Sequence, residues 1–303
     1  MSTIINNGLD EILDALFKPY YDRVPNVEKI TNAMISNGMI QSQDDIVNDH
    51  IAFRTLGVTH LGIASFEKIF LKHGYIKKDY YHFEGKKLDA YWYAPPSPKY
   101  PRIFMSELKV DNLSSKAQQI IAKYTKNINL DPVDQLDLNN TKEIGDFFYK
   151  PLWQLPTIQD YNDLLAESEY AAWVIYNRYY LNHYTISVHN LPPAYNTVES
   201  FNLFLESIGI VLNNSGGKIK TSKDGLLKQS STVAQMINAT FANGEAMEIP
   251  GSYVEFAERL PLPSNGKNNT NAIDLDRRDG FESANADKIF ESTYHEQTKK
   301  IIR

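Results

Sequence analysis

Apolar positions along the chain recur first at helical spacing and then in short alternating runs, and the order of these two textures repeats. Ile5, Leu9, Ile12, Leu13, Leu16 and Phe17 fall on one face of a helix predicted over Ile4–Phe17, with Pro19 expected to close it. A second helix is predicted over Val27–Asn37, carrying Ile30, Ala33, Met34 and Ile35 and stopping at Asn37-Gly38, a pair suited to the left-handed turn that ends helices. Asp49 to Gly57 reads as a strand. A helix over Ala64–Gly74 should follow, with Ser65 as a candidate N-cap and Phe66, Ile69 and Phe70 facing inward. Three strand-like runs come next, Asp79–Phe83, Leu88–Tyr93 and Arg102–Val110. The element order is β-α-β-β-β.

Residues 113–180 interrupt this texture with helical spacing at Ala117, Ile120, Ile121 and Tyr124, an Asp/Asn-rich loop, and one longer helical stretch over Tyr161–Tyr180. The earlier pattern then returns. A strand over Asn182–His189 is followed by a helix over Thr197–Leu212 with Val198, Phe201, Phe204, Leu205 and Ile208, then by strands at Lys218–Thr221, Gln229–Ala242 and Ser252–Arg259. The second order is again β-α-β-β-β, an internal repeat defined by element order. A polar low-complexity loop from Pro263 precedes a last helical stretch over Ala284–Tyr294. The expected fold is therefore α+β, one integrated domain divided as 1–45 N-terminal helices, 46–112 first module, 113–180 helical insertion, 181–262 second module and 263–303 loop and C-terminal helix.

Composition narrows what such a fold can do. A chain of 303 residues with 42% hydrophobic and 22% charged residues has the usage of an ordinary globular protein. Its formal charge of -6 argues against a basic face for nucleic acid or anionic membrane, so an anionic substrate requires a local cation. With no Cys, any metal must rest on His, carboxylate or carbonyl ligands. The first sixteen residues lack the charge and apolar run of a secretory signal, and no stretch reaches the length of a membrane span, so a cytoplasmic protein is expected.

Both modules open on a histidine preceded by a carboxylate or amide, Asp49-His50 and Asn182-His183, and both close on a strand bearing glutamate, Glu107 and Glu255. Paired modules would bring these residues to one concavity. Two histidines and one carboxylate form the set used by non-haem iron(II) oxygenases, because three protein ligands leave positions open for substrate and O2. His50, His183 and Glu255 fit that role, with Glu107 as a fourth ligand, a group orienting a ligand, or merely a strand carboxylate. Either histidine alone would more readily be a structural residue. Arg54 lies four residues after His50 on the same strand face, about 13 Å along it, where it can pair with the far end of a small dicarboxylate or, without the histidine, would read as an arginine on a solvated strand face. Gln229, Ser230 and Ser231 offer short polar groups near the site, or equally an ordinary strand edge. The chain has no Gly-x-Ser-x-Gly elbow, Walker loop, Gly-x-Gly-x-x-Gly or His-Glu-x-x-His.

The segments Asp49-His50-Ile51-Ala52-Phe53-Arg54-Thr55, Ser106-Glu107-Leu108, Asn182-His183-Tyr184-Thr185, Leu227-Lys228-Gln229-Ser230-Ser231-Thr232, Gly251 to Arg259 and Gly280-Phe281 together resemble the iron-dependent 2-oxoadipate dioxygenase/decarboxylases, or hydroxyglutarate synthases. The resemblance implies a vicinal-oxygen-chelate-like fold, with a curved central sheet built from the paired modules and helices added around it. It implies metal ligands at His50, His183 and Glu255 and a substrate-binding arginine at Arg54. The implied reaction converts 2-oxoadipate and O2 to 2-hydroxyglutarate and CO2 in lysine breakdown. The implied metal is Fe(II), although the same ligand set also takes Zn, Mn, Ni or Co. Two other readings fit the residues: a non-redox lyase or isomerase of the same fold, in which Glu107 completes a four-ligand set, and a non-catalytic sensor of a small acid.

Overall fold

Two amphipathic helices lead into the sheet of the computed structural model, which describes residues 7–263 and 274–299. Helix α1 (Asn7–Arg23) runs through Pro19 and does not stop there. Tyr20 and Val24 beyond the proline are buried, and the Tyr20 hydroxyl donates to the Tyr253 carbonyl. Tertiary packing of the last turn thus outweighs the roughly 3 kcal/mol that an interior proline costs. Helix α2 (Pro25–Ser36) buries Val27, Ile30 and Met34.

The first module comprises β1 (Asn48–Leu56), α3 (Ile63–Lys72), β2 (Ile76–Phe83), β3 (Leu88–Ala94) and β4 (Arg102–Leu108). Gly62, not Ser65, stands at the start of α3; Ser65 is inside the helix and donates to Asp131 Oδ1 at 2.6 Å. The insertion folds as α4 (Ser115–Thr125), α5 (Thr141–Phe147), α6 (Ile158–Leu165) and α7 (Glu169–Asn177). The single helix expected over 161–180 is two because Ser168 caps α7, its hydroxyl accepting from the Ala171 N–H at 3.1 Å.

The second module comprises β5 (His183–Ser187), α8 (Val198–Ser207), β6 (Lys220–Thr221), β7 (Leu227–Ser231) and, after a hairpin of β8 (Met236–Thr240) and β9 (Ala246–Pro250), β10 (Tyr253–Arg259). The strand expected over 229–242 therefore divides. Its first part stays in the main sheet, while its second forms a separate two-stranded sheet, drawn away where Phe241 packs on Tyr161 and Tyr176 at 5.5 and 5.1 Å. Helix α9 (Ser283–Phe290), a 3-10 turn over Glu291–Thr293 and the short α10 (His295–Thr298) complete the described chain. Most of the polar loop after Pro263 lies outside the described residues.

The eight strands of the curled main sheet run in the order β2-β3-β4-β1-β5-β10-β7-β6. Each half repeats the other about the antiparallel β1·β5 junction, since β1 pairs in parallel with β4 and β5 pairs in parallel with β10. The internal repeat read from element order is thus a repeat in space. Among the described residues no helix is long and apolar enough to cross a membrane.

Candidate metal centre

The β1·β5 junction sets the two histidines diagonally across the middle of the sheet, with His50 opposite Thr185 and His183 opposite Ala52. Strand β10 adds Glu255 beside Thr185. One ligand atom from each of His50, His183 and Glu255 lies within 4.8 Å of the others, and all three residues are buried. His183 Nε2 stands 3.1 Å from Glu255 Oε2 yet lacks hydrogen-bond geometry to any partner among the described residues, as expected of a nitrogen whose lone pair is aimed at a metal. The second carboxylate oxygen lies 3.5 Å from His50 Nε2. The donor set and this orphaned nitrogen fit a divalent ion.

Both rings are oriented through their other nitrogen. His50 Nδ1 meets Asp49 Oδ2 at 2.9 Å and His183 Nδ1 meets Asn182 Oδ1 at 3.0 Å, which turns each Nε2 toward Glu255, that of His50 also lying 3.0 Å from Thr185 Oγ1. Neighbours on a regular strand point to opposite faces, but a register shift between Asn48 and His50 brings Asp49 to the side of its neighbour. Asp49 is gripped in turn by Arg259, whose Nε and Nη2 donate to the two carboxylate oxygens at 2.6 and 2.9 Å. Burial opposes the charge on Asp49, but Arg259 and His50 outweigh it and hold the carboxyl well below its usual range. Burial likewise opposes ionisation of Glu255, and the two imidazoles reverse the balance, so it stays a carboxylate. Burial pushes His183 down; for His50 it is overcome by Glu255 and Asp49, which raise it.

Arg54 reaches the same cavity. It is 1% exposed, and among the described residues no carboxylate lies within ion-pair distance of it. Its Nη1 donates to Thr293 Oγ1 at 2.9 Å and its Nη2 to the Phe290 carbonyl at 3.0 Å, while Tyr170 and Trp173 present ring faces 5.2 Å away. The cavity is further walled by Phe104, Tyr253, Phe281, Ile289 and Phe290. Together these side chains leave only a narrow cavity beside the three candidate ligands.

The three polar residues expected on β7 separate. Gln229 donates from Nε2 to Glu255 Oε1 at 2.6 Å and accepts from Asn285 at 3.0 Å, so it holds the carboxylate. Ser231 hydrogen-bonds Ser292 at 2.8 Å beneath the C-terminal segment. Ser230 points to the other face, donating to Asn202 of α8 at 2.7 Å, because alternate residues of a strand face opposite ways.

Glu107 does not approach the centre. Its Oε2 accepts from the Ile63 N–H at 2.7 Å and caps α3, so close to Gly62 that a Cβ there would lie 2.1 Å from it. Register gives the reason. Two residues past His183 the partner on β10 is Glu255, and two past His50 the partner on β4 is Phe104. Three residues further on stand Glu107 and Glu258, and Glu258 caps α8 by accepting from the Val198 N–H at 2.9 Å. Glu107 is therefore the counterpart of Glu258, while the corner opposite Glu255 holds an apolar ring. The four-ligand alternative fails on this geometry. Asp49 and Asn182 were visible in the sequence as neighbours of the histidines; the Arg259 grip and the walls from the C-terminal segment carried no such signal.

Paired β-α-β-β-β modules with an inward-facing set of two histidines and one carboxylate define a vicinal-oxygen-chelate-like protein with a candidate metal centre. A glyoxalase-superfamily structure from Ralstonia eutropha shares this fold at TM-score 0.69 and 23% identity, covering 90% of this chain and 85% of that one. The family described as 2-oxoadipate dioxygenase/decarboxylase matches residues 12–273, and the chain belongs to it. It is 41% identical over 303 residues to the chloroplastic 2-oxoadipate dioxygenase/decarboxylase of Arabidopsis thaliana, spanning 95% of this chain and 78% of the relative. The crystal structure of hydroxyglutarate synthase in complex with 2-oxoadipate from Oryza sativa superposes at TM-score 0.88 with 39% identity, over 99% of this chain and 96% of that one.

Proposed function

We propose that the protein is an iron(II)-dependent dioxygenase/decarboxylase that converts 2-oxoadipate and O2 to 2-hydroxyglutarate and CO2, as a step of lysine breakdown. The observation that carries this reading is the buried His50, His183 and Glu255 set sharing one cavity with Arg54, a buried guanidinium with no carboxylate in ion-pair distance among the described residues. The family and the 2-oxoadipate complex of the rice relative support the substrate.

In this reading His50, His183 and Glu255 would hold iron(II), which would supply the O2 chemistry at the 2-oxo acid end of the substrate. Asp49, clamped by Arg259, fixes the His50 ring, and Gln229 fixes the Glu255 carboxylate. Arg54 pairs with the remote carboxylate and sets the substrate along the strand. Phe104, Phe281 and Phe290 keep bulk water from the reacting end. The six carbons divide into a five-carbon hydroxy diacid and CO2, both atoms of O2 are retained in the products, and no external reductant is needed. The proposed compartment is the cytoplasm, in contrast to the plastid location in the names of the plant relatives; cell fractionation tests it.

The test is oxygen uptake by anaerobically iron-loaded protein given 2-oxoadipate, with products identified by mass and His50→Ala beside it. Uptake matched by CO2 and 2-hydroxyglutarate, and lost in the variant, is expected. Tightly bound iron with no uptake on 2-oxoadipate or neighbouring 2-oxo acids would replace this reading with the non-redox lyase or isomerase.

A further inference from the structure

Two buried hydrogen-bond donors on residues that line the cavity find no hydrogen-bond partner of good geometry among the described residues. Both terminal nitrogens of Arg54 are engaged, by Thr293 and by the Phe290 carbonyl, but its Nε has no partner. Tyr253 is fully buried and its hydroxyl is likewise unpartnered. The polar side chains beside that hydroxyl are Arg54 and Ser292. Ser292 is already occupied, with Ser231 at 2.8 Å and Asn213 at 3.0 Å.

Register explains why these donors meet. Tyr253 stands opposite His183, and His183 opposite Ala52, so the tyrosine rises at a level between His50 and Arg54. Its ring lies against His183 with centroids 4.7 Å apart, which fixes its direction. Buried donors are nearly always paired, and a buried guanidinium demands an anion. Two free donors on one cavity wall, one of them cationic, match the two oxygens of a carboxylate.

We propose that the Tyr253 hydroxyl and Arg54 Nε form a two-donor clamp on the substrate carboxylate remote from the metal, making Tyr253 a specificity-determining residue for dicarboxylic over monocarboxylic 2-oxo acids. The inference rests on the function proposed above and adds a second arm to the anchor.

The test uses iron(II)-loaded protein kept free of oxygen, so that binding is read without turnover. Dissociation constants are measured for 2-oxoadipate and for 2-oxohexanoate, which carries a methyl group where the remote carboxylate would be. Trp173, 5.2 Å from the Arg54 guanidinium, serves as the fluorescent reporter. Tyr253→Phe keeps the ring and removes only the hydroxyl. It should weaken 2-oxoadipate about 10–100-fold, the worth of a hydrogen bond to a charged group, and leave 2-oxohexanoate and iron affinity within twofold of the parent. Arg54→Lys, which keeps the charge but loses Nε, should show the same selective loss. Equal weakening of both acids would place the hydroxyl at the shared 2-oxo end and overturn the clamp, and so would no change in either. A parent protein that does not prefer 2-oxoadipate over 2-oxohexanoate would instead overturn the underlying functional reading.

Discussion

Replacing Asp49 by Asn probes how much of the centre depends on a buried ion pair behind the ligands. The substitution keeps shape and an acceptor for His50, but removes the charge that Arg259 grips through contacts of 2.6 and 2.9 Å. Both side chains are 1% exposed, and Arg259 keeps only its bonds to the carbonyls of Gly280 and Arg278, at 2.7 and 3.1 Å. Breaking a buried pair from one side costs about 3–5 kcal/mol, because the remaining charge is uncompensated. At about 2 °C per kcal/mol for a domain of this size, Asp49→Asn should unfold about 6–10 °C below the parent. Calorimetry in the presence of EDTA measures this without any contribution from metal. Chelator competition should show metal affinity falling about 10–100-fold, since the carboxylate behind a ligating histidine sets its orientation and basicity. A depressed folded-state pKa contributes stability that is fully present above the unfolded value and lost as pH falls through the folded one. The difference between parent and variant should thus be complete above pH 4 or thereabouts and shrink in more acid solution. The double variant Asp49→Asn with Arg259→Met should lose less than the two single losses added together. A shift below 2 °C together with strict additivity in the double variant would refute the energetic role given to the pair.

Three further outcomes are expected. Gln229→Leu removes the donor on Glu255 and should reduce metal affinity by about tenfold in the same chelator assay. Glu107→Gln should leave metal affinity unchanged while lowering stability by about 1 kcal/mol through the weakened cap on α3, seen in urea unfolding; loss of metal would return Glu107 to the centre. Arg54→Ala should retain metal but raise KM for 2-oxoadipate at least tenfold, and full turnover at low substrate would remove Arg54 from the anchor.

The parts of this molecule that could be read from sequence are those set by local periodicity. The doubled β-α-β-β-β order, the paired histidines and Arg54 on the face of His50 all follow from strand period and element order, which act within a few residues. The misplacement of Glu107 shows the limit. Counting from the strand end cannot decide register, and it matches Glu107 with Glu255, whereas the ladders make it the counterpart of Glu258 in the other module. Pro19 fails as a stop because Tyr20 finds its partner on Tyr253, a contact 233 residues distant that no local rule contains. The C-terminal walls were equally hidden, since α9 docks across the sheet with nothing in its own pattern to say where. Ser230 was drawn to the site by its neighbours in sequence, although strand alternation sends it to α8.

The hold of Thr293 and Phe290 on Arg54 spans 239 and 236 residues of chain. During synthesis, all three candidate ligands emerge before the segment that buries the guanidinium. A nascent chain can therefore possess the candidate ligand set while the Arg54 guanidinium still faces water. On the proposed function, metal capture and substrate grip would then be acquired at separate moments, and only the second would report that α9 has docked.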